Sequence, residues 1–276
     1  MERLTEEEGI KLIQDLSSCG VEKINFVGGE PMLHRHLDAW IIAAKSCGLT
    51  TSIVSNGTKM TEEWLTKIRP YLDWLGLSID ASNDEMHFLM GRGLKGEIKS
   101  GFSRHLERSK RVWRIAQRLG YGLKLNTVVT SVNAHDDMSE LVKILRPHRW
   151  KIFRVLRIVG ENDGRVEPLL ISPNHFEDYM TLHRRSLQDF QEINIVAEDN
   201  EDMLGTYAMI DPQGRAYTNK NGRYLYSKKS CFEVGFSDAW NEVVTGFSET
   251  RFSERGGDWD WKKEEWNLPL PVVRIP

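Results

Sequence analysis

The chain is poor in cysteine, in charge of one sign and in long apolar runs. Among 276 residues there are three cysteines, Cys19, Cys47 and Cys231, too far apart in sequence to form a compact ligand loop. An odd, sparse count excludes a disulfide framework and fits a reducing compartment. Cys19 and Cys47 stand just before Gly20 and Gly48, as residues do at helix ends, and read as structural thiols. With 37 basic against 40 acidic residues the formal net charge is −3, which excludes a broad nucleic-acid-binding surface and leaves only a local basic pocket. No apolar run reaches the ~20 residues needed to span a bilayer. The opening Met1–Glu8 is acidic and lacks an apolar core, so no secretory signal is read there. A soluble, cytoplasmic protein is expected, with no internal repeat and no low-complexity tract.

The 40% hydrophobic content suffices for one large α/β domain or two small ones. Thr5 and Glu8 form a capping box, followed by Ile10, Ile13 and Leu16 at helical spacing, with Gly20 as the stop. Strands are predicted at Glu22–Val27, Thr50–Ser55, Trp74–Asp80, Leu123–Val129 and Trp150–Val159, the last of the series. Helices are predicted near His36–Cys47, from Thr61 to Pro70, over Ser103–Leu119 and near Asp136–Leu145. Strands alternating with helices at this spacing imply parallel βαβ units. After Gly160 the pattern changes: a helix at Ser172–Arg185, a hairpin at Ala208–Tyr217 turning on Asp-Pro-Gln-Gly, and a tail, Gly256–Pro276, rich in Trp and Pro.

Strand side chains alternate between two faces. Ile24 and Phe26 oppose Lys23 and Asn25; Leu77 and Ile79 oppose Ser78 and Asp80; Leu123 and Leu125 oppose Lys124 and Asn126; Arg149 and Lys151 share a face. If the apolar faces pack on helices, the polar faces point into a barrel, where several cations are costly to desolvate without anionic partners. A polyanion such as a triphosphate satisfies them, because guanidinium forks and ammonium groups both suit phosphate oxygens.

A strand ending in Gly28-Gly29-Glu30-Pro31 before a helical pattern resembles the GGEP motif of radical S-adenosylmethionine enzymes. The ordered series VEKINFVGGEP (Val21–Pro31), SIVSNG (Ser52–Gly57), LSIDAS (Leu77–Ser82), GRG (Gly91–Gly93), KLNTVV (Lys124–Val129), RWKIF (Arg149–Phe153), GEN (Gly160–Asn162) and ERGGDW (Glu254–Trp259) is similar to the viperin family of those enzymes, antiviral nucleotide dehydratases. The resemblance runs from about Thr5 to Trp266. It implies a partial (βα)6 TIM-like barrel over residues 1–160 with its first strand and cluster loop missing, and a C-terminal α/β extension, residues 161–276, capping it within one structural unit. It implies S-adenosylmethionine and a [4Fe–4S] cluster as cofactors and CTP, or UTP, as substrate. In that chemistry a 5′-deoxyadenosyl radical takes the 4′ hydrogen and loss of the 3′ hydroxyl gives the 3′-deoxy-3′,4′-didehydro nucleotide.

By the same resemblance Gly28, Gly29 and Glu30 hold the methionine end of S-adenosylmethionine. Ser55, Asn56, Ser78 and Arg92 lie near its ribose, adenine or carboxylate. Lys23, Asn25, Lys124, Asn126, Arg149 and Lys151 match the nucleotide site, with Arg149 and Lys151 facing the triphosphate, and Tyr207 matches a substrate-side tyrosine. Three departures stand out. The CxxxCxxC motif that ligates the cluster is absent, and is expected upstream of Met1 if the chain is an N-terminally incomplete enzyme. The family's amphipathic targeting helix is absent. The chain continues ten residues past Trp266 to Pro276, in the region through which the family contacts the iron–sulfur assembly machinery. The alternative is a cluster-less, inactive homologue that binds nucleotide or partner proteins. No metal ligand set is assigned; His34 and His36 read as surface histidines, and Trp259, Trp261 and Trp266 as packing against the barrel.

Overall fold

A computed structural model describes residues 4–262. Six strands, β1 (Lys23–Phe26), β2 (Thr50–Ser55), β3 (Trp74–Ser78), β4 (Gly122–Val129), β5 (Arg149–Arg154) and β6 (Asn194–Glu198), form one parallel sheet in chain order. Parallel neighbours need crossovers, and helices supply them. Helix α1 (Glu6–Ser18) precedes β1; α2 (Leu37–Ser46) and α3 (Glu62–Ile68) lead into β2 and β3; α4 (Asp84–Leu89), α5 (Lys95–Lys99) and α6 (His105–Arg118) lie between β3 and β4; α7 (Ser139–Leu145) and α8 (Pro173–Ser186) precede β5 and β6. The capping box of α1 forms as its sequence predicts: the Glu8 N–H donates to Thr5 Oγ1 at 3.2 Å and the Thr5 N–H to Glu8 Oε2 at 2.8 Å. Ser172 caps α8 by accepting from the His175 N–H at 3.2 Å.

One expectation is corrected. The parallel series does not end with Trp150–Val159; the strand there stops at Arg154, and β6 joins its edge with Arg149 opposite Asn194 and Phe153 opposite Glu198. The run Asn194–Glu198 is short and only partly buried, so its strand character comes from the β5 edge it covers rather than from its own alternation. The sheet thus recruits a strand from beyond residue 160. It is open: β1 and β6 are its two edges among the described residues. Helices α4 and α5 are also absent from the sequence reading.

The outer face of the sheet is the main core. Leu75, Leu77, Leu123, Leu125, Trp150 and Ile152 are buried there, against Val112, Trp113 and Ala116 of α6 and Leu141, Val142 and Leu145 of α7.

After β6 come α9 (Asn200–Met203), a three-stranded antiparallel sheet of β7 (Met209–Ile210), β8 (Arg215–Lys220) and β9 (Arg223–Ser230), then α10 (Cys231–Val234), α11 (Phe236–Asn241) and α12 (Glu249–Glu254). The predicted hairpin is β7–β8, its turn held by Asp211 Oδ1, which accepts from the N–H groups of Gln213 and Arg215, each at 2.9 Å. Asn221 and Gly222, at φ 53° and 75°, make the tight β8–β9 turn, whose left-handed backbone these two residues adopt readily. This extension packs on α1, where Leu12 and Leu16 meet Ala216, Cys231 and Ala239, and Asp15 Oδ2 accepts from the Phe236 N–H at 2.5 Å. No helix among the described residues is long and apolar enough to cross a membrane. Trp266 and the tail to Pro276 lie outside the described residues.

Candidate active site

The strand registers carry the predicted alternation across the sheet. Val54, Gly76, Lys124, Arg149 and Asn194 lie side by side on the inner face; Ser78, Asn126, Lys151 and Val196 form the next row toward the strand C-termini; Val128, Phe153 and Glu198 the next. Lys23 and Asn25 of β1 share that face, with Asn25 exposed beside Ser52. The sheet curls strongly. Lys23 Nζ on β1 lies 2.8 Å from the centre of the Trp261 ring and Arg149 Cζ on β5 lies 5.2 Å from the same centre. Four strand spacings on a flat sheet would hold β1 and β5 about 19 Å apart.

Two glycines make this interior. A Cβ on Gly76 would stand 2.9 Å from Lys124 Cε and 3.0 Å from Val54 Cγ2, and one on Gly122 would stand 2.6 Å from the Trp74 indole. Glycine at these strand positions admits the lysine stem and the indole.

Five cations meet on the inner face: Lys23, Lys124, Arg149, Lys151 and Arg255, the last from the segment after α12. One carboxylate among them, Glu198, is wholly buried. It ion-pairs with Lys151 Nζ, accepts from Arg255 Nη1 at 2.8 Å and accepts the Tyr207 hydroxyl. Arg255 Nη2 donates to the Thr206 carbonyl at 2.7 Å, and its guanidinium lies 4.2 Å over the Tyr207 ring. Arg149 donates Nη2 to the Gly256 carbonyl and stacks 4.7 Å over Trp259. Its Nε and Nη1 are buried without a hydrogen-bond partner, as is Asn126 Oδ1.

The charge imbalance shows in the titration of these groups. Burial, then the ammonium of Lys151 and the guanidinium of Arg149, pull Lys124 down to about 7, against the pull of Glu198. Burial lowers Lys151 to about 8, with Glu198 opposing it, and lowers Arg149 to about 10. Lys23 falls well below its ordinary value through burial and the four neighbouring cations. Glu198 stays ionised: burial pushes it up, but Lys151 and Arg255 outweigh that and hold it below the usual carboxylate value. The Tyr207 phenol is raised well above its usual value by burial and by Glu198.

The residues expected at the S-adenosylmethionine end gather at the C-terminal mouth of the strands. Gly28 takes φ 120°, and a Cβ at Gly28 or Gly29 would meet nothing within 4 Å, so the backbone faces open space. Glu30 ties β1 to β2, accepting from Ser55 Oγ at 2.8 Å, the Asn56 N–H at 2.9 Å and the Met32 N–H at 3.1 Å. Asn56 Oδ1 accepts from the Thr58 N–H at 2.8 Å. Ser78 is half-buried on the inner face, its carbonyl 2.8 Å from His105 Nε2. Burial holds His105 down at about 4, so the neutral ring donates there. Arg92 reaches Asp80, a carboxylate 1% exposed, at 2.5 Å.

The structure therefore brings Lys23, Lys124, Arg149, Lys151 and Tyr207 into one cluster and Gly28, Gly29, Glu30, Ser55 and Asn56 into another; Arg92 is turned onto Asp80. Sequence reasoning missed Gly76, Gly122, Glu198 and Arg255. The last two stand outside the helix–strand alternation it relied on, although Arg255 falls within the ERGGDW segment. Among the described residues no group of three His, Cys, Asp or Glu could hold a metal ion, and the three cysteines are free. These residues do not fit an iron–sulfur cluster.

The model of the radical SAM superfamily matches residues 1–146. The S-adenosylmethionine-dependent nucleotide dehydratase of Flammeovirga pacifica is 36% identical over 94% of this chain and 84% of its own length. That of Danio rerio is 34% identical over 95% of this chain and 72% of its own. For the enzyme of the same name from Lacinutrix mariniflava, 34% identical, the chain spans about half the relative, 52%. The fold also matches solved radical enzymes: anSMEcpe with bound AdoMet and Cp18Cys peptide at TM-score 0.70 and 15% identity, covering 90% of this chain and 76% of that one. Streptococcus suis SuiB bound to S-adenosylmethionine matches at TM-score 0.64 and 14% identity, covering 93% and 62%. The chain belongs to the radical SAM superfamily and, within it, to the S-adenosylmethionine-dependent nucleotide dehydratases, the viperin family. Nothing in these likenesses favours a cluster-less binding protein.

Proposed function

We propose that the chain binds S-adenosylmethionine at the C-terminal mouth of the sheet and a nucleoside triphosphate, CTP or UTP, on the inner face below it, and takes part in converting the nucleotide to its 3′-deoxy-3′,4′-didehydro analogue. The supporting observation is the surplus of cations: five around a single carboxylate, with two lysines depressed into the neutral pH range. A triphosphate supplies the missing negative charge, and free donors such as Arg149 Nε and Nη1 suit its oxygens. Lys23, Lys124, Arg149 and Lys151 hold the phosphates, the amides of Asn25 and Asn126 and the Tyr207 ring orient the nucleoside, and Trp259 and Trp261 close the strand N-terminal end against water.

S-adenosylmethionine fits the other mouth. The open backbone at Gly28 and Gly29 allows close approach of its methionine end, with Glu30 as acceptor; Ser55, Asn56 and Ser78 offer polar contacts, and Arg92, released from Asp80, pairs with a carboxylate. When bound, this cofactor would bring its 5′ carbon to the nucleotide; the electron that its cleavage requires would come from a cluster whose ligands are not among the described residues. Residues 161–276 act as the cap that contributes Tyr207, Arg255 and the tryptophans. Calorimetric titration with CTP and UTP tests the reading: one triphosphate binds at unit stoichiometry, and Arg149→Met weakens it more than tenfold. Absence of binding, or binding indifferent to Arg149, overturns it.

A further inference from the structure

We infer that Glu198 is a positioning residue of the triphosphate site, holding the Lys151 ammonium, the Tyr207 hydroxyl and the Arg255 guanidinium in one arrangement toward the ligand. The inference rests on the nucleotide reading above and deepens it.

A buried carboxylate in an anion site is adverse by charge alone, because it repels the phosphates its neighbours attract. Yet Glu198 touches three other members of the cluster. Oε1 takes Lys151 Nζ and Arg255 Nη1, and Oε2 takes the Tyr207 hydroxyl. Those partners come from β5, from the residues after α12 and from the loop after α9, segments distant from one another in sequence. The phenol oxygen, whose O–H donates to Glu198, lies 3.4 Å from both Lys151 Nζ and Arg255 Nη1 and accepts from them. One carboxylate thereby sets three side chains at once.

It also keeps Lys151 charged. The groups facing Lys151 are Lys23 on β1, Lys124 on β4, Arg149 on β5, Glu198 on β6, Tyr207 and Arg255. Glu198 alone among them is an anion; the Tyr207 oxygen, 3.4 Å from Nζ, is a neutral acceptor. Without it, Lys151 faces cations and a phenol and releases its proton at lower pH.

The two roles predict opposite signs. A bystander carboxylate, once neutralised, leaves a more positive pocket that binds triphosphate more tightly. A positioning carboxylate, once neutralised, leaves Lys151 deprotonated and Tyr207 unanchored. We expect Glu198→Gln to bind CTP about tenfold more weakly at about pH 8, the worth of one charge-assisted donor, with the loss shrinking toward about pH 6.5 as Lys151 recovers its proton. Tighter binding at every pH, or the wild-type affinity and pH profile, overturns the inference. Should Glu198→Gln not fold, Glu198→Asp withdraws the carboxylate by one methylene: weakened CTP binding supports the role, unchanged affinity overturns it. A second readout separates this inference from the nucleotide reading. If the unsubstituted chain binds no triphosphate, that reading fails, while 15N NMR of the Lys151 ammonium, assigned through Lys151→Arg, still reports on Glu198. A lower titration midpoint in Glu198→Gln supports the hold on Lys151; an unmoved midpoint overturns it.

Discussion

Leu123 and Leu125 on β4 point outward into the core with α6 and α7, whereas Lys124 and Asn126 between them point inward beside Arg149 and Lys151. The same strand is therefore built on opposite rules on its two sides. Each outward leucine removes its side chain from water and stabilises the fold by about 1.5–3 kcal/mol. Lys23 and Lys124 lose hydration with no carboxylate paired to them among the described residues, and the cations around them add repulsion, which destabilises the ligand-free chain. The comparison teaches that the outer face supplies stability and the inner face draws on it for binding.

Substitutions can break that comparison. The largest effect is expected on the outer face: Leu125→Ala removes a wholly buried side chain and costs about 3 kcal/mol in chemical denaturation. An equal cost from an inner-face truncation would erase the distinction.

A pH series sharpens it. The lysines are depressed in the folded chain, so between pH 7 and their unfolded value of 10.5 the unfolded state binds more protons, and stability rises with pH. Without ligand, Tm should climb by roughly 3–6 °C between about pH 7 and about pH 9. A flat or falling Tm would mean that the inner-face cations are not strained in the empty site.

The smallest change in stability, and the most telling, is Lys124→Met. It replaces a buried ammonium with an apolar side chain of similar length and should stabilise the chain by about 1 kcal/mol, flatten the pH dependence and weaken CTP binding. A destabilised variant would assign Lys124 to the core instead of the site.

Much of this was legible beforehand. The five βα repeats, the α1 capping box and the Asp211 turn rest on local rules, and the two-face reading of β1, β3, β4 and β5 needs only strand periodicity. Strand β6 was not legible, since its residues pair by virtue of the exposed β5 edge. Nor were Gly76 and Gly122, whose reason lies in the Lys124 stem and the Trp74 ring that fill the space above them. Glu198 could not be told from a solvated surface carboxylate until Lys151, Tyr207 and Arg255 stood around it.

The sequence by itself determined the family, the order of the parallel strands and the cationic character of one sheet face, because motif spacing and a period of two are written along the chain. Only the tertiary structure decided that these cations converge on a single buried carboxylate, that two tryptophans of the C-terminal segment cover them, and that Arg92 rests on Asp80. Those facts depend on how far the sheet curls and which distant segments return to it, and both are set by packing between elements that no local pattern encodes.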